Sequence, residues 1–178
     1  MNAAAMPDSL PIAVPSTDAA GSAHSSHGES VKTEVSIVLP TFNRASFLVE
    51  AFESIRAQTF TDWKLIIVDD GSEDDTRELC ESFIAECQNP VIYIYQENAG
   101  AAAARNHCLD YADSPLIAFF DSDDLWEPWH LGNMVAILYE HEDIDWVYGD
   151  ARRINATTGE LMRESIFHDG YGSSTSRS

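Results

Sequence analysis

The 178-residue sequence predicts an α/β fold, with a mainly parallel, Rossmann-like sheet that carries helices on both faces. Two observations lead to this fold class. Short and almost continuously apolar runs, rich in β-branched residues, are typical of strands that are buried on both faces. Stretches with apolar residues at helical spacing separate these runs, and such an alternation implies right-handed βαβ crossovers.

Five strands are predicted, at residues 35–39, 65–68, 91–95, 116–120 and 146–148. Apolar residues at helical spacing predict helices near residues 48–55, 80–87, 101–111 and 131–138. Ser72 is expected to cap the second helix, with Asp75 three residues further on. Pro128 suits the first turn of the fourth helix. Residues 155–159 predict a turn that joins a hairpin.

One domain is expected, at residues 34–168, between two tails. Residues 1–33 are rich in Ala, Ser, Pro and Gly without an apolar period, which predicts a disordered tail. Residues 169–178 are rich in Gly and Ser and are expected to be flexible. No run approaches the roughly 20 apolar residues of a membrane span, and no secretory signal is evident, so a cytoplasmic location is the default expectation.

Charge and cysteine content exclude some classes of function. The formal net charge is −20, from 10 basic and 30 acidic residues, whereas nucleic-acid binding requires clustered Lys and Arg. A phosphate-bearing substrate would need a cation to mask the facing carboxylates. Cys80, Cys87 and Cys108 form neither a metal motif nor a disulfide pattern, so buried, reduced thiols are expected.

Polar or conformationally special segments follow four of the predicted strands. In open α/β sheets, ligands bind beyond the carboxyl ends of the strands, so four such segments at one edge predict a binding site. These segments are 40–44 (PTFNR), 69–72 (DDGS), 98–100 (NAG) and 121–124 (DSDD).

The acidic segment after the fourth strand is the strongest candidate for a metal site. On an extended backbone, Asp121 and Asp123 point to one side and Asp124 to the other. Crowded carboxylates repel one another, and a hard divalent cation removes that conflict, with substrate phosphates and water completing its shell. The alternative is a solvated acidic turn that caps the next helix.

The other three segments contain candidate ligand contacts. Asp70 can accept hydrogen bonds from a ribose hydroxyl or a base edge, while helix capping is the alternative explanation for its segment. Phe42 can stack on a planar base, and Arg44 can face a phosphate. Arg105 either reaches a diphosphate or pairs with the acidic segment.

Four segments resemble, in order and spacing, the family 2 glycosyltransferases, which are inverting enzymes of the GT-A fold that use nucleotide-diphosphate sugars. The resemblance covers residues 35–149 and rests on VSIVLPTFN (35–43), IIVDDGS (66–72), NAGAAAARN (98–106) and FDSDDLW (120–126). It implies that Pro40, Phe42 and Asp70 lie against the nucleotide base and that Asp123 contacts the nucleoside or sugar. It also implies that Asp124 is the acid of a DxD-type motif that holds Mn²⁺ or Mg²⁺ at the diphosphate, with Asp121 supporting the loop.

The family's catalytic base lies well downstream of these motifs, and no residue of this chain is assigned to it. Glu164 and Asp169 are acids near the end of the sequence, but neither has the family's context. The chain is therefore expected to be the truncated N-terminal, donor-binding part of a metal-dependent glycosyltransferase. The acceptor is an unidentified polysaccharide, lipid-linked sugar or protein glycan, which is compatible with peripheral membrane association.

Other functions make different demands on the sequence. A truncated, non-catalytic fragment would bind the nucleotide sugar without transferring the sugar. A Rossmann dehydrogenase requires a Gly-rich turn after the first strand, where this sequence has 40–44 (PTFNR). A phosphatase with Asp121 as nucleophile would leave the other three strand ends unexplained.

Overall fold

The computed structural model describes residues 12–13 and 32–163. Its helices are α1 (Ala45–Arg56), α2 (Thr76–Glu86), α3 (Ala101–Leu109) and α4 (His130–Glu140). Its strands are β1 (Ile12–Ala13), β2 (Val35–Thr41), β3 (Trp63–Asp69), β4 (Val91–Tyr95), β5 (Leu116–Phe119), β6 (Arg153–Ile154) and β7 (Leu161–Arg163).

The main sheet has the order β1-β4-β3-β2-β5, and β2, β3, β4 and β5 run parallel. This confirms the predicted α/β class and the first four predicted strands. The register pairs Thr41 with Asp69 and Asp69 with Tyr95, so these three strands end together at one edge. β5 pairs with β2 only as far as Val38 opposite Phe119, and residues 120–124 therefore continue along the same edge.

Helices cover both faces of the sheet, as predicted. Alternate residues of β2 and β3 enter two apolar clusters: Ile37 and Ile67 face α1 and α2, while Val38 and Ile66 face α3. Because both faces are covered, every residue of β2 and β3 is buried. This explains why the sequence of these strands is almost continuously apolar instead of alternating.

Pro40 lies inside a central strand, which is an unusual place for a residue without a backbone N–H. Val38 O accepts a hydrogen bond from Phe120 N, at 3.0 Å, so residue 38 faces β5 and residue 40, two positions on, faces the same side. The ladder between β2 and β5 has already ended at Phe119. Pro40 therefore interrupts no hydrogen bond of the sheet, and its position depends on β5 ending early.

The fifth predicted strand, 146–148, is wrong, because no regular strand forms there. An apolar run becomes a strand only when a neighbouring strand completes its hydrogen bonds, and no described strand pairs with this segment. Trp146 instead stacks on Tyr148 with ring centroids 5.3 Å apart. The segment borders a cavity of about 750 Å³ between β5 and α4, whose lining includes none of the predicted site residues.

Two further features concern the ends of the described chain. The hairpin predicted around residues 155–159 is confirmed, since β6 and β7 pair antiparallel across that turn. Ile12 and Ala13 pair antiparallel with β4, which the prediction of a disordered tail did not anticipate. The rest of that tail and residues 169–178 lie outside the described residues. Among the described helices, none is both long and apolar enough to cross a bilayer.

Candidate functional site

The order of the strands locates a crevice at the carboxyl edge of the sheet. From β2 the chain moves outward through β3 to β4, and it then returns to place β5 on the other side of β2. Where the winding direction reverses in this way, the loops after the two strands diverge and leave a crevice between them. The loops concerned here are 42–44 after β2 and 120–124 after β5.

The acidic segment 121–124, here called the acid loop, is a tight turn on an apolar anchor. Phe120 is buried and packs edge-on against Trp126, with ring centroids 4.7 Å apart. Asp124 N donates to Asp121 O at 2.9 Å, which closes the turn. Ser122 is buried, whereas the three aspartates are exposed. The fold therefore holds the backbone in place and presents the acids to the crevice.

Two arginines from other parts of the chain contact the acid loop. Arg105 of α3 pairs with Asp121 at 2.6 Å, and Arg44 after β2 lies 3.8 Å from Asp123. The structure thus brings Arg44, Arg105, Asp121 and Asp123 together at the crevice. For Arg105 it shows the contact with the acidic segment, one of the two expected roles, while contact with a diphosphate stays a prediction.

Asp124 makes no ion pair within the described part of the chain. Although the Asp124 side chain is exposed, surrounding protein atoms partly desolvate its carboxyl and raise its pKa, and the nearby carboxylates of Asp121 and Asp123 raise it further. The described residues contain no group of three or more His, Cys, Asp or Glu side chains arranged to hold a metal. The acid loop is therefore not a preformed three-ligand site, although it fits a cation held by one or two carboxylates together with phosphate oxygens.

The consecutive acids at the end of β3 point to opposite faces of the sheet. Asp69 is buried on the α1 and α2 side, where its Oδ2 accepts from the Tyr93 hydroxyl at 2.8 Å and its Oδ1 from Ser72 N at 2.9 Å. Burial and the contact with Asp69 raise the pKa of the Tyr93 hydroxyl. The sequence analysis assigned no role to Asp69. Because successive side chains of a strand point to opposite faces of the sheet, Asp69 and Asp70 could already be expected to differ in their surroundings.

Asp70 lies on the α3 side and holds the turn that precedes α3. Its Oδ1 accepts from Gln96 Nε2 at 2.6 Å and from Ala99 N at 2.8 Å, and its Oδ2 accepts from Gly100 N at 2.8 Å. Asp70 is only 2% exposed. The predicted base-contacting acid is therefore anchored among backbone and side-chain donors. No motif in the sequence pointed to Gln96 as one of these donors.

Ser72 does not cap α2, contrary to the prediction. α2 begins at Thr76, and its N-cap residue, Asp75, makes no side-chain capping hydrogen bond. Ser72 Oγ instead accepts from Asn43 N at 2.8 Å, and Asn43 Oδ1 accepts from Glu73 N at 2.8 Å. These bonds tie the loop after β2 to the loop after β3, so Ser72 supports the crevice.

Asn43 and Phe42 complete the wall of the crevice formed by β2. Asn43 has a φ of 50°, a left-handed conformation that Asn tolerates better than most residues. The sequence analysis included Asn43 only as part of segment 40–44 and assigned it no role of its own. Phe42 is 44% exposed, as an aromatic residue that meets a ligand must be, while Pro40 is buried within β2.

Residues 36–177 match the family model described as Glycosyl transferase family 2. The chain belongs to this family. GlyG, a glycosyltransferase of Streptococcus pneumoniae, is 36% identical over 131 residues, which are 71% of this chain and 42% of GlyG. WfgD of Escherichia coli, named as a UDP-Glc:alpha-D-GlcNAc-diphosphoundecaprenol beta-1,3-glucosyltransferase, is 34% identical across 68% of this chain and 47% of its own length. The family 2 chain described here thus spans less than half of either relative.

Solved structures of two other proteins share the fold of this family 2 chain. TarS 1–349 of S. aureus in complex with UDP aligns with a TM-score of 0.60 at 23% identity, over 76% of this chain and 40% of that one. PcManGT, a mannosyltransferase of Pyrobaculum calidifontis solved with GDP-Man and Mn²⁺, aligns with a TM-score of 0.58 at 24% identity. The alignment covers 65% of this chain and 34% of PcManGT. At such identities the likeness establishes the GT-A fold alone.

A catalytic base is not found in the described part of the chain. The crevice acids Asp121 and Asp123 are paired with arginines, and Asp70 is held by three donors. Glu164 and Asp169, the two acids that sequence reasoning left unassigned, lie outside the described residues.

Proposed function

We propose that this chain is the donor-binding part of a glycosyltransferase and that it holds a nucleotide-diphosphate sugar in the crevice between β2 and β5. One observation carries the proposal: in a family 2 chain, Arg44 after β2 reaches Asp123 after β5. The two loops that flank the crevice therefore lie within reach of a single small ligand. Glycosyl transfer is the activity in the names of its relatives.

The base end of the donor is assigned to the β2–β3 side of the crevice. The exposed ring of Phe42 offers a stacking surface, and Pro40 fixes the backbone from which that loop starts. Asp70 lies beyond the end of β3, next to the segment 98–100, where it accepts hydrogen bonds from Ala99 N and Gly100 N. These three residues are proposed to contact the base, and Asp123 the nucleoside or the sugar.

The diphosphate is assigned to the β5 side, where a divalent cation would join it to the acid loop. Desolvation and, to a smaller extent, the carboxylates of Asp121 and Asp123 raise the pKa of the Asp124 carboxyl, and a nearby cation would offset both effects. Mg²⁺ and Mn²⁺ accept one or two carboxylates together with phosphate oxygens, which suits Asp124 with Asp123 or Asp121. Arg44 and Arg105 are proposed to face the diphosphate, since one guanidinium group can donate two parallel N–H bonds to phosphate oxygens.

When bound, the cation supplies charge that offsets the negative charge growing on the leaving diphosphate. The residues of the chain hold the donor and orient its sugar toward the open side of the crevice. The acceptor is proposed to be a polysaccharide, a lipid-linked sugar or a protein glycan. WfgD is named for a lipid-linked acceptor, and an acceptor of that class would bring the protein to a membrane surface.

A second candidate function is donor binding without transfer. Donor binding needs only the crevice, and no residue of the described chain is assigned as a catalytic base. Both candidates require the same donor site. They differ in whether the purified chain releases sugar from the donor or transfers it to an acceptor.

Calorimetric titration with UDP-, GDP- and dTDP-sugars, with and without Mn²⁺, tests the proposal. We expect at least one donor to bind, with an affinity that falls about tenfold or more without Mn²⁺, the equivalent of about 1.4 kcal/mol. Replacing Asp123 and Asp124 together by alanine should abolish this dependence on Mn²⁺. The matched control removes two exposed acids elsewhere, Asp143 and Asp145, with the same change in net charge. Unchanged affinity and Mn²⁺ dependence in the Asp123→Ala/Asp124→Ala variant would refute the proposed site.

A further inference from the structure

We infer that Gln58, just beyond the C-terminal end of α1, is a positioning residue for the divalent cation at the acid loop. This inference rests on the proposed function, since it assumes that the cation joins Asp124 to the diphosphate. Gln58 is not itself a ligand of the cation. It acts through residues 126–131, here called the exit segment, which lead from the acid loop into α4.

The acid loop is held at both of its ends, and the exit segment is the end that lies outside the sheet. On the entry side, Phe120 N donates to Val38 O at 3.0 Å, which ties the loop to β2. On the exit side, only Leu125 separates Asp124 from the exit segment, and Leu125 is 53% exposed. The position of the Asp124 carboxylate therefore depends on how the exit segment is fixed.

Three hydrogen bonds join the side-chain amide of Gln58 to backbone groups. Its Nε2 donates to Glu127 O at 2.9 Å and to Ser54 O at 3.0 Å, and its Oε1 accepts from Leu131 N at 2.9 Å. The two carbonyl oxygens can only accept and the N–H can only donate, so a single orientation of the amide satisfies all three groups. Gln58 thus bridges the last turn of α1 and two points of the exit segment.

Two further contacts join the same parts of the chain. Trp126 N donates to Ser54 Oγ at 3.3 Å, and Thr59 N donates to Pro128 O at 2.8 Å. The exit segment is therefore bound along its length to residues 54–59.

The bond to Leu131 N supplies a cap that α4 does not provide for itself. The N-cap residue of α4, Trp129, makes no side-chain capping hydrogen bond, and the first N–H groups of a helix have no partner within it. Both Gln58 and Leu131 are buried, at 4% and 2% exposure. Without Gln58 this N–H would lose its acceptor away from water, and the exit segment would have to shift to regain one.

Such a shift should act on the cation more than on the base side of the crevice. Bonds between a divalent cation and carboxylate oxygens are short and geometrically demanding, so a displaced Asp124 weakens them steeply. Phe42 and Asp70, which are proposed to contact the base, follow β2 and β3 instead. Loss of Gln58 should therefore reduce the gain in nucleotide affinity that Mn²⁺ provides, and leave the affinity without metal almost unchanged.

The test compares wild type with Gln58→Met, which removes the amide at nearly constant length and leaves the net charge unchanged. Calorimetry with the full chain measures the dissociation constants of UDP, GDP and dTDP without and with Mn²⁺. For the nucleotide that wild type binds most tightly, the first constant divided by the second is the metal ratio. Wild type should have a metal ratio of about ten or more, and Gln58→Met should lower it about threefold or more.

The metal ratio distinguishes positioning from simple structural support. A smaller folded fraction would weaken binding equally with and without Mn²⁺, so the ratio would not change. Thermal unfolding of each variant measures that fraction. Hydrogen exchange at Leu131 N should be about fivefold or more faster in Gln58→Met than in wild type, because its acceptor is lost.

Asn89→Leu is the matched control. The Asn89 amide also donates to two backbone carbonyl oxygens, Thr61 O at 2.7 Å and Trp63 O at 2.9 Å, but it does so at the amino edge of the sheet. The substitution removes an amide of the same kind without a change in charge. It should keep the wild-type metal ratio and the wild-type exchange rate at Leu131 N.

A second variant decides if Gln58→Met does not fold. Ser54→Ala combined with Thr59→Val removes the two hydroxyl groups that contact Trp126 N and Pro128 O, and it keeps Gln58. Its metal ratio should be about twofold or more below that of wild type.

The outcomes separate the two proposals. If wild type binds none of the three nucleotides, or binds them without dependence on Mn²⁺, the proposed function fails and this inference fails with it. If wild type shows the dependence but Gln58→Met keeps the metal ratio or the exchange rate, the donor site stands and the role of Gln58 is overturned. The same holds if the double variant, used in its place, keeps the ratio, or if Asn89→Leu lowers it equally. A lower ratio in Gln58→Met alone, with faster exchange at Leu131 N, supports the inference.

Discussion

At the scale of single residues, the Asp69 carboxylate shows how a buried charge is held at this edge of the sheet. Asp69 is 1% exposed and accepts hydrogen bonds from the Tyr93 hydroxyl and from Ser72 N. A buried carboxylate that loses a donor retains its desolvation cost without compensation. The stability of the carboxyl edge therefore depends on Tyr93.

Replacing Tyr93 by phenylalanine removes only the donor to Asp69. We expect the free energy of unfolding to fall by about 1–3 kcal/mol, the cost of an unsatisfied buried polar group. Urea denaturation at pH 7 measures this change. Tyr139→Phe is the matched control, because the Tyr139 hydroxyl bonds Glu34 at an exposed position and should contribute less than about 0.5 kcal/mol. Equal losses in the two variants would contradict the role of the Asp69 contact.

Two glycines should respond to alanine with opposite signs. Gly71 has a φ of +84°, and an added Cβ would lie 3.0 Å from Asn98 N, so Gly71→Ala should destabilise by about 1–2 kcal/mol or more. Gly132 lies inside α4, where an added Cβ would meet Phe60 Cβ at an ordinary 3.6 Å. Gly132→Ala should stabilise by about 0.5–1 kcal/mol. Denaturant midpoints of both variants check the pair, and a shift in the same direction would show that local backbone geometry does not govern these sites.

At the scale of secondary-structure elements, α4 is coupled to the acid loop through Trp126 and His130. The two rings stack with centroids 5.0 Å apart, and Trp126 also packs against Phe120. Burial lowers the pKa of the His130 ring below its ordinary value of 6.5. The packing of α4 thus favours the neutral imidazole.

This lowered pKa predicts a dependence of stability on pH. As pH falls through 6.5, the unfolded chain takes up a proton at residue 130 before the folded chain does, so folding is disfavoured. The stability of wild type relative to His130→Gln should therefore be greater at pH 7.5 than at pH 5.5. Urea titrations of both proteins at the two pH values measure the difference, and a pH-independent difference would show that His130 is not desolvated by α4.

The strands and helices that have a clear apolar periodicity could be predicted from the sequence. β2 to β5 and the four helices follow from apolar periodicity, because burial on one or both faces determines which residues are apolar. Residues 146–148 have the same apolar character but no regular pairing partner among the described strands. A segment forms a strand only when a neighbouring strand completes its hydrogen bonds. The apolar pattern of residues 146–148 alone therefore could not show whether they form a strand.

The candidate site was predictable in its location but not in its hydrogen bonds. Polar residues after buried strands, such as 121–124, could be assigned to one edge because parallel strands share a direction. The pairing of Arg105 with Asp121, and that of Ser72 with Asn43, depends on loop geometry. These contacts join residues that are not neighbours in the sequence, and the spacing of apolar residues does not predict them.

At the scale of the whole molecule, the order of the strands determines where the crevice forms. The reversal between β2 and β5 separates the loops at 42–44 and 120–124, and the net charge of −20 makes an acidic crevice costly for an anionic donor. Two arginines and a cation would offset that repulsion. We propose that metal and nucleotide meet at this reversal.

Paramagnetic broadening of backbone amide signals by Mn²⁺ tests this claim most directly. The ¹H–¹⁵N spectrum of the chain would be recorded with Mn²⁺, with and without the nucleoside diphosphate that binds best, and with Mg²⁺ as the diamagnetic reference. The nucleotide-dependent broadening should centre on residues 121–124 and 43–44. It should spare Trp63 and Leu116 at the amino edge, about 20 Å away along the strands. Broadening centred on the amino edge, or on Asp143 and Asp145, would contradict a donor site at the reversal between β2 and β5.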